Sequence, residues 1–273
     1  MEWLQAILLG VLQGLTEFLP ISSSAHLRVY PAFLGWEDPG AAFTAVVQIG
    51  TEVAVLLYFR KDIWRIAVAW LTALVTPERR SDPDARMGWF IIVGSLPIVV
   101  LGVLFRDAIE TTARSLALVA TMLIVFGLVL GIADRVGSHR HPIAHLGWRD
   151  AVLFGFGQAM ALIPGVSRSG ATISMGLFLG YERAAATRYA FLLAIPAVVG
   201  AGLFQLPEIP GGQNAYGVGP TVAATLVAFV VGYATIAWLL RWVTTRSYLP
   251  FVLYRVALGS AVLIGLGTGA LTS

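Results

Sequence analysis

Long apolar runs alternate along this chain with short polar stretches, and two of the runs are broken in the middle by polar residues and proline. The first run, residues 3–19, is interrupted by Gln5, Gln13 and Glu17, and Pro20 stops it just before three consecutive serines. This pattern predicts a helix that enters, breaks at a tip over 19–24 and returns over 27–34. Such a re-entrant hairpin is tolerated at membrane depth because its loose backbone is buried in protein or lines water. Residues 41–59, which include Glu52, are long enough to cross a bilayer. The run 63–76 carries Trp64, Arg65 and Trp70 and falls short of a crossing length; about 17 residues are needed. It predicts a helix lying in the interface. Residues 87–105 and 115–133 predict two full crossings, with a kink at Pro97. In the second half, 150–180 is broken by Pro164, Gly165, Arg168 and Gly170 and predicts a second hairpin, while 186–206, 219–240 and 249–271 predict three more crossings.

The two broken segments match each other. At an offset of 145 residues, GFGQAMALIPGVSRSGA lies over GVLQGLTEFLPISSSAH, so that Gln158 falls on Gln13, Gly155 on Gly10, Ser167 on Ser22, Arg168 on Ser23 and Ser169 on Ser24. Each half is then one hairpin plus three crossings. An odd number of crossings turns the second half over relative to the first, and the two hairpin tips enter from opposite faces and meet near the midplane. The expected fold is an all-α polytopic membrane protein of six transmembrane helices plus two re-entrant helical hairpins in an inverted repeat. It forms one membrane domain, 1–273, with halves at approximately 1–134 and 149–273.

Composition agrees: 58% of residues are hydrophobic and 12% charged, against roughly 25% charged in a soluble domain. The basic clusters fall in 60–86 and 134–149, which places these segments on the cytoplasmic side, and 207–220 holds no Lys or Arg, which marks it as external. A net charge of +3 does not suggest a nucleic-acid partner. The absence of cysteine excludes disulfides, thiolate metal sites and cysteine nucleophiles. The N-terminus begins with an acid and runs directly into the polar motif, so it does not read as a cleaved signal peptide.

Ionisable groups at membrane depth are costly and mark functional sites. In the second hairpin Ser167, Arg168, Ser169 and Thr172 sit in a Gly-flanked turn that opens a helix. Backbone N–H groups at a helix start, hydroxyls and an arginine fork together make an anion cradle. The first hairpin adds Glu17, which can orient or deprotonate a nucleophile or hold a divalent cation. It also adds Ser22, Ser23 and Ser24, as helix caps or nucleophiles, and His26 as a general acid or base. Gln13 exchanges no protons and is read as a hydrogen-bonding group at the site. A phosphate ester or anhydride suits these parts, with Mg²⁺ or Ca²⁺ as the plausible metal for hard oxygen ligands. Glu52 is left between structural partner and supporting group, and His139, His141 and His145 read as solvated loop residues. Paired broken helices in inverted halves are also transporter anatomy, which leaves a transporter or lipid flippase as the competing class.

QGLTEFLPISSSAH and ALIPGVSRSGATIS, in this order and spacing, resemble the two signature segments of the bacitracin resistance family of undecaprenyl-diphosphate phosphatases; VVQIGTEVAVLLYFRK, FLLAIPAVVGAG and the pair Tyr254–Arg255 look familial too. The resemblance implies removal of the terminal phosphate from a C55 isoprenoid diphosphate, dependence on Mg²⁺ or Ca²⁺, and a bacterial plasma-membrane location with the site opening to the outer face. It also implies a homodimer. Carried over by position, it implies that Glu17 assists catalysis or binds the metal, that Arg168 holds the diphosphate, and that Ser23 is the nucleophile with His26 its rival or its base. Gln13, Ser22, Ser167, Ser169 and Thr172 are then the substrate-binding groups. Gln13 in place of glutamate removes one possible base or ligand, and Ala25 stands where glycine is usual.

Overall fold

A computed structural model describes residues 2–105, 115–205 and 215–271. Among the described residues the elements, in order, are α1 (Glu2–Thr16), α2 (Ser23–Leu34), α3 (Ala41–Tyr58), α4 (Arg60–Val75), α5 (Pro83–Leu104), α6 (Leu116–Val136), α7 (Trp148–Ala159), α8 (Arg168–Phe178), α9 (Arg183–Gln205), α10 (Val218–Trp242) and α11 (Leu249–Gly267), joined by short 3-10 turns and loops. The chain is an all-α polytopic membrane protein. Four of its described helices, α5, α6, α10 and α11, are long and apolar enough to cross a bilayer, and α3 with α4 passes the same test as a pair bent by 68°. The expected interfacial helix is α4. It starts at Arg60 because Phe59, at φ −90° and ψ 10°, ends α3 and serves as the hinge. The segment 106–114, read as an outer loop, and residues 207–214 of the loop read as external lie outside the described residues.

The two predicted breaks are present, and they share a local geometry. Ser22 (φ 76°) and Ser167 (φ 74°) immediately precede α2 and α8, each at a positive φ that non-glycine residues rarely adopt. A left-handed backbone costs an L-residue roughly 1–2 kcal/mol. In both turns the same pair of hydroxyls lies 3.2 Å apart, Ser22 with Ser24 and Ser167 with Ser169. Similar residues at the sequence offset therefore take up similar strain.

Helix packing depends on small residues, as it must where lipid is as apolar as the side chains and close backbone approach supplies the contact. α1 packs on α10 through Gly10 and Gly14, which meet Ala224, Ala228 and Gly232; a Cβ at Gly10 would lie 2.4 Å from the Ala224 carbonyl oxygen. α7 packs on α5 in the same manner, and a Cβ at Gly155 would lie 2.3 Å from the Gly94 carbonyl oxygen. Each hairpin's first helix thus lies against a long helix from the other half of the sequence.

Two charged networks close the bundle. On the basic side Asp134 accepts from Arg183 Nε at 2.5 Å and from the Tyr248 backbone N–H at 2.9 Å, and Arg188 reaches Asp62 at 2.7 Å. His139 lies beside Asp134, and burial followed by the Arg183 guanidinium holds it below the ordinary imidazole range. His141 and His145 approach with ring centroids 5.8 Å apart, and among the described residues no three His, Asp or Glu side chains converge as a metal cluster. Deeper in, Arg255 is fully buried and donates to five carbonyls: Pro20 (3.1 Å), Leu123 (3.1 Å), Met122 (3.3 Å), Gly165 (3.0 Å) and Val166 (2.9 Å). Pro20 belongs to one hairpin tip, Gly165 and Val166 to the other. A single guanidinium on α11 pins both.

Candidate active site

The tips touch. Ser169 Oγ donates to the Leu19 carbonyl at 3.1 Å, and Arg168 Nη2 donates to Glu17 Oε1 at 2.5 Å across 151 residues of sequence. Glu17 is the hub of this contact. Its other oxygen accepts from Ser23 Oγ at 2.6 Å and from Gln13 Nε2 at 3.1 Å. With side chains only 10% and 22% exposed, Glu17 and Arg168 form a partly desolvated pair, in which each partner needs the other or a bound ion.

Two clefts share this pair. One is polar: Ser22, Ser23, Ser24, Gln48 and Ser167 line it with Glu17 and Arg168, around about 620 Å³ of empty space. The first residues of both α2 and α8 lie on its wall, so the positive ends of two helix dipoles and one guanidinium converge on it. Such a site attracts anions without further ligands. The second cleft holds about 380 Å³ and is mostly apolar, with Phe18, Val55, Phe191 and Val198, but Glu52 and Thr51 also face it.

Not every candidate from the sequence reaches these clefts. His26 is 1% exposed and lines neither; Nδ1 contacts the Ser22 carbonyl and Nε2 the Tyr254 hydroxyl, both at 2.7 Å. Because a carbonyl only accepts, the Nδ1 proton is the donor there, and Nε2 accepts from Tyr254. Its ring lies nearly parallel to those of Tyr30 and Tyr254, with centroids 5.7 and 5.5 Å away. Thr172 is fully buried and donates to the Arg168 carbonyl at 2.7 Å, which fixes the first turn of α8. Ser167 caps that turn through the Gly170 N–H at 3.2 Å. Tyr30, Arg255 and Gln48 were not singled out from the sequence as parts of the site. For Arg255 the signal was there, an arginine inside an apolar run; Tyr30 and Gln48 are ordinary residues until the fold places them.

Gln13 Oε1 is buried without a hydrogen-bond partner beside Glu17. An orphan oxygen on a residue bonded to a carboxylate, which also holds the Ser23 hydroxyl, suits a hard divalent cation; Mg²⁺ sites use one or two carboxylates and are completed by substrate phosphates.

The family described as bacitracin resistance protein BacA matches residues 6–261 of this chain. Among similar proteins, an undecaprenyl-diphosphatase of Nocardioides sp. is 68% identical over 100% of this chain and 99% of its own length. Undecaprenyl-diphosphatase 2 of Agrobacterium fabrum is 60% identical over 100% and 99%, and an undecaprenyl-diphosphatase of Micrococcus luteus 58% identical over 100% of both.

Proposed function

Because the chain belongs to the bacitracin resistance protein family, we propose that it is an undecaprenyl-diphosphatase: it hydrolyses undecaprenyl diphosphate to undecaprenyl phosphate and inorganic phosphate, recycling the lipid carrier of peptidoglycan synthesis and conferring bacitracin resistance. The observation that carries this reading is the Ser23–Glu17–Arg168 chain of hydrogen bonds at the mouth of a cleft built on two helix N-termini.

In the proposed reaction the terminal phosphoryl group enters the polar cleft, and Arg168 turns from Glu17 to its oxygens, with Ser22, Ser167 and Ser169 around it. Ser23 Oγ attacks the terminal phosphorus, and the bond from phosphorus to the bridging oxygen breaks. Undecaprenyl phosphate leaves, and Glu17 takes the hydroxyl proton it already holds in a 2.6 Å hydrogen bond. Water then hydrolyses the phosphoseryl enzyme. His26, held by Ser22 and Tyr254, positions the start of α2 in this scheme, and Thr172 does the same for α8. Glu17, with the free oxygen of Gln13 and the serine hydroxyls, would hold Mg²⁺ or Ca²⁺. When bound, the cation neutralises phosphate charge and sharpens the electrophile.

The cleft opens to the outer side of the plasma membrane in this proposal. Support comes from Ile98, which lines the polar cleft and is the sixteenth of the 22 residues of α5, a helix that starts next to the basic segment 60–86. Six crossings, oppositely oriented halves at 1–134 and 149–273, and a homodimer complete the reading; the matched strain at Ser22 and Ser167 supports the duplication. The test is phosphate release from C55 diphosphate in detergent with Mg²⁺, comparing the native protein with Glu17→Ala and Arg168→Ala. We expect loss of at least roughly 10²-fold for either. Lipid movement in liposomes with no phosphate release by the native protein would replace the phosphatase with a transporter or flippase.

A further inference from the structure

A carboxylate outside the mechanism above lies within reach of its centre. Glu52, on α3, lines the second cleft together with Glu17 and Arg168. Its side chain repeats the arrangement of Glu17. Gln48 Nε2 donates to Glu52 Oε1 at 3.2 Å, four residues away on the same helix, as Gln13 Nε2 donates to Glu17 Oε2 at 3.1 Å. Gln48 itself reaches the wall of the polar cleft, so the two clefts are linked by this pair as well. The other oxygen of Glu52 lies against Gly202 of α9, where a Cβ would come within 2.7 Å of it. A methyl group at 202 would push the carboxylate from this place.

The chemistry calls for a second base. In the first step Glu17 receives the Ser23 proton. In the second, the serine oxygen is the leaving group and takes that proton back, so Glu17 cannot also accept a proton from the attacking water. Among the described residues that line the two clefts, the ionisable side chains are Glu17, Glu52 and Arg168. Arginine is no base, and His26 faces neither cleft, its Nε2 being engaged by Tyr254. Arg168 lies on the wall of both clefts, with Ser23 lining one and Glu52 the other. Hydrolysis in line requires the attacking water and the leaving serine oxygen to lie on different sides of phosphorus, and in this proposal the water comes from the cleft that Glu52 lines while Ser23 Oγ lies in the other.

We propose that Glu52 is the general base of the second half-reaction, accepting a proton from the water that hydrolyses the phosphoseryl enzyme. The water oxygen forms its bond to phosphorus as the bond from phosphorus to Ser23 Oγ breaks. Glu17 returns its proton to Oγ, the water proton passes to Glu52 and then to solvent, and inorganic phosphate departs. This inference rests on Ser23 as the nucleophile.

Rapid-quench kinetics on detergent-solubilised protein with Mg²⁺, using C55 diphosphate labelled in its terminal phosphate, tests it. Glu52→Gln is expected to release one equivalent of undecaprenyl phosphate per site at the native rate and then stall. Its steady turnover should be lower by roughly 10²-fold or more, with label accumulating on the protein at Ser23. Gly202→Ala, which crowds the carboxylate without removing it, is expected to lower the second phase roughly tenfold or more and leave the first unchanged. Native turnover in Glu52→Gln, or slow turnover with no label on the protein, overturns the proposal. Undiminished turnover in Ser23→Ala instead overturns the nucleophile on which it rests, and the two failures are read from different variants.

Discussion

At the scale of single residues, the sequence marked the charges but not every partner. Glu17 and Arg168 are legible because an acid and an arginine inside apolar runs need explaining; that they bond each other at 2.5 Å follows from two tips meeting, which the offset match and the odd count of crossings predicted. His26 was legible as a histidine and not as the partner of Tyr254, since that contact depends on how α11 lies against α2. Arg255 shows the same limit most clearly. It is fully buried and its guanidinium gathers five carbonyl oxygens from three separate parts of the chain. Replacing it removes the donors and leaves carbonyls buried and unpaired, each costing about 1–3 kcal/mol before relaxation. Arg255→Met should therefore lower the thermal midpoint in detergent markedly, with a loss on the order of 3 kcal/mol or more. It should also reduce phosphate release even at temperatures where the variant remains folded, because Pro20 and Gly165 are no longer held together. Unchanged activity in a folded Arg255→Met protein would show that the tips stay registered without it.

At the scale of elements, the breaks were the easiest features to read and the crossings were harder. Proline followed by serines or by glycine ends a helix whatever surrounds it, so both hairpin tips fall where the sequence put them, and the turn strain at Ser22 and Ser167 is the same to within a few degrees, φ 76° against 74°. Length and hydropathy say less about α3 and α4, which together pass as a span bent by 68°; the hinge at Phe59 carries no glycine or proline, and only the charges Arg60, Lys61 and Asp62 after it announce the boundary. Partner choice among helices is invisible in periodicity, yet the glycines record it afterwards. Gly155 faces the α5 backbone so closely that a methyl group would stand 2.3 Å from the Gly94 carbonyl oxygen, whereas nothing lies within 4 Å of a Cβ at Gly200 on α9. Gly155→Ala should cost about 1–3 kcal/mol by forcing α7 away from α5, and Gly200→Ala should be neutral or stabilising by about 0.5–1 kcal/mol. Thermal unfolding of the two variants side by side measures the difference; equal midpoints would mean that α7 and α5 do not cross at Gly155.

At the scale of the whole molecule, the proposed duplication explains how so apolar a chain assembles a polar site. Neither hairpin is complete alone: the first brings an acid and hydroxyls, the second an arginine and a helix start, and a half facing one way could not present both to a single cleft. The proposed inversion of the halves makes their meeting a matter of symmetry, and it rests on the offset match and the count of apolar runs. The direction in which the cleft opens is what the resemblance implies, with the basic loops and the place of Ile98 along α5 in support. It can be measured cleanly because the chain contains no cysteine, so an introduced thiol reports without background. Ser24, on the wall of the polar cleft, and Arg80, in the basic stretch that follows α4, sample the two sides. In intact cells a membrane-impermeant maleimide should label Ser24→Cys, and Arg80→Cys should react only after permeabilisation. Undecaprenyl diphosphate or its phosphate product, added with Mg²⁺ to membranes, should slow labelling of Ser24→Cys and leave Arg80→Cys untouched, since only the cleft holds the lipid's head. Labelling of Arg80→Cys alone in intact cells would turn the molecule over, placing the cleft on the cytoplasmic side and requiring the spent carrier to be carried inward before its terminal phosphate is removed.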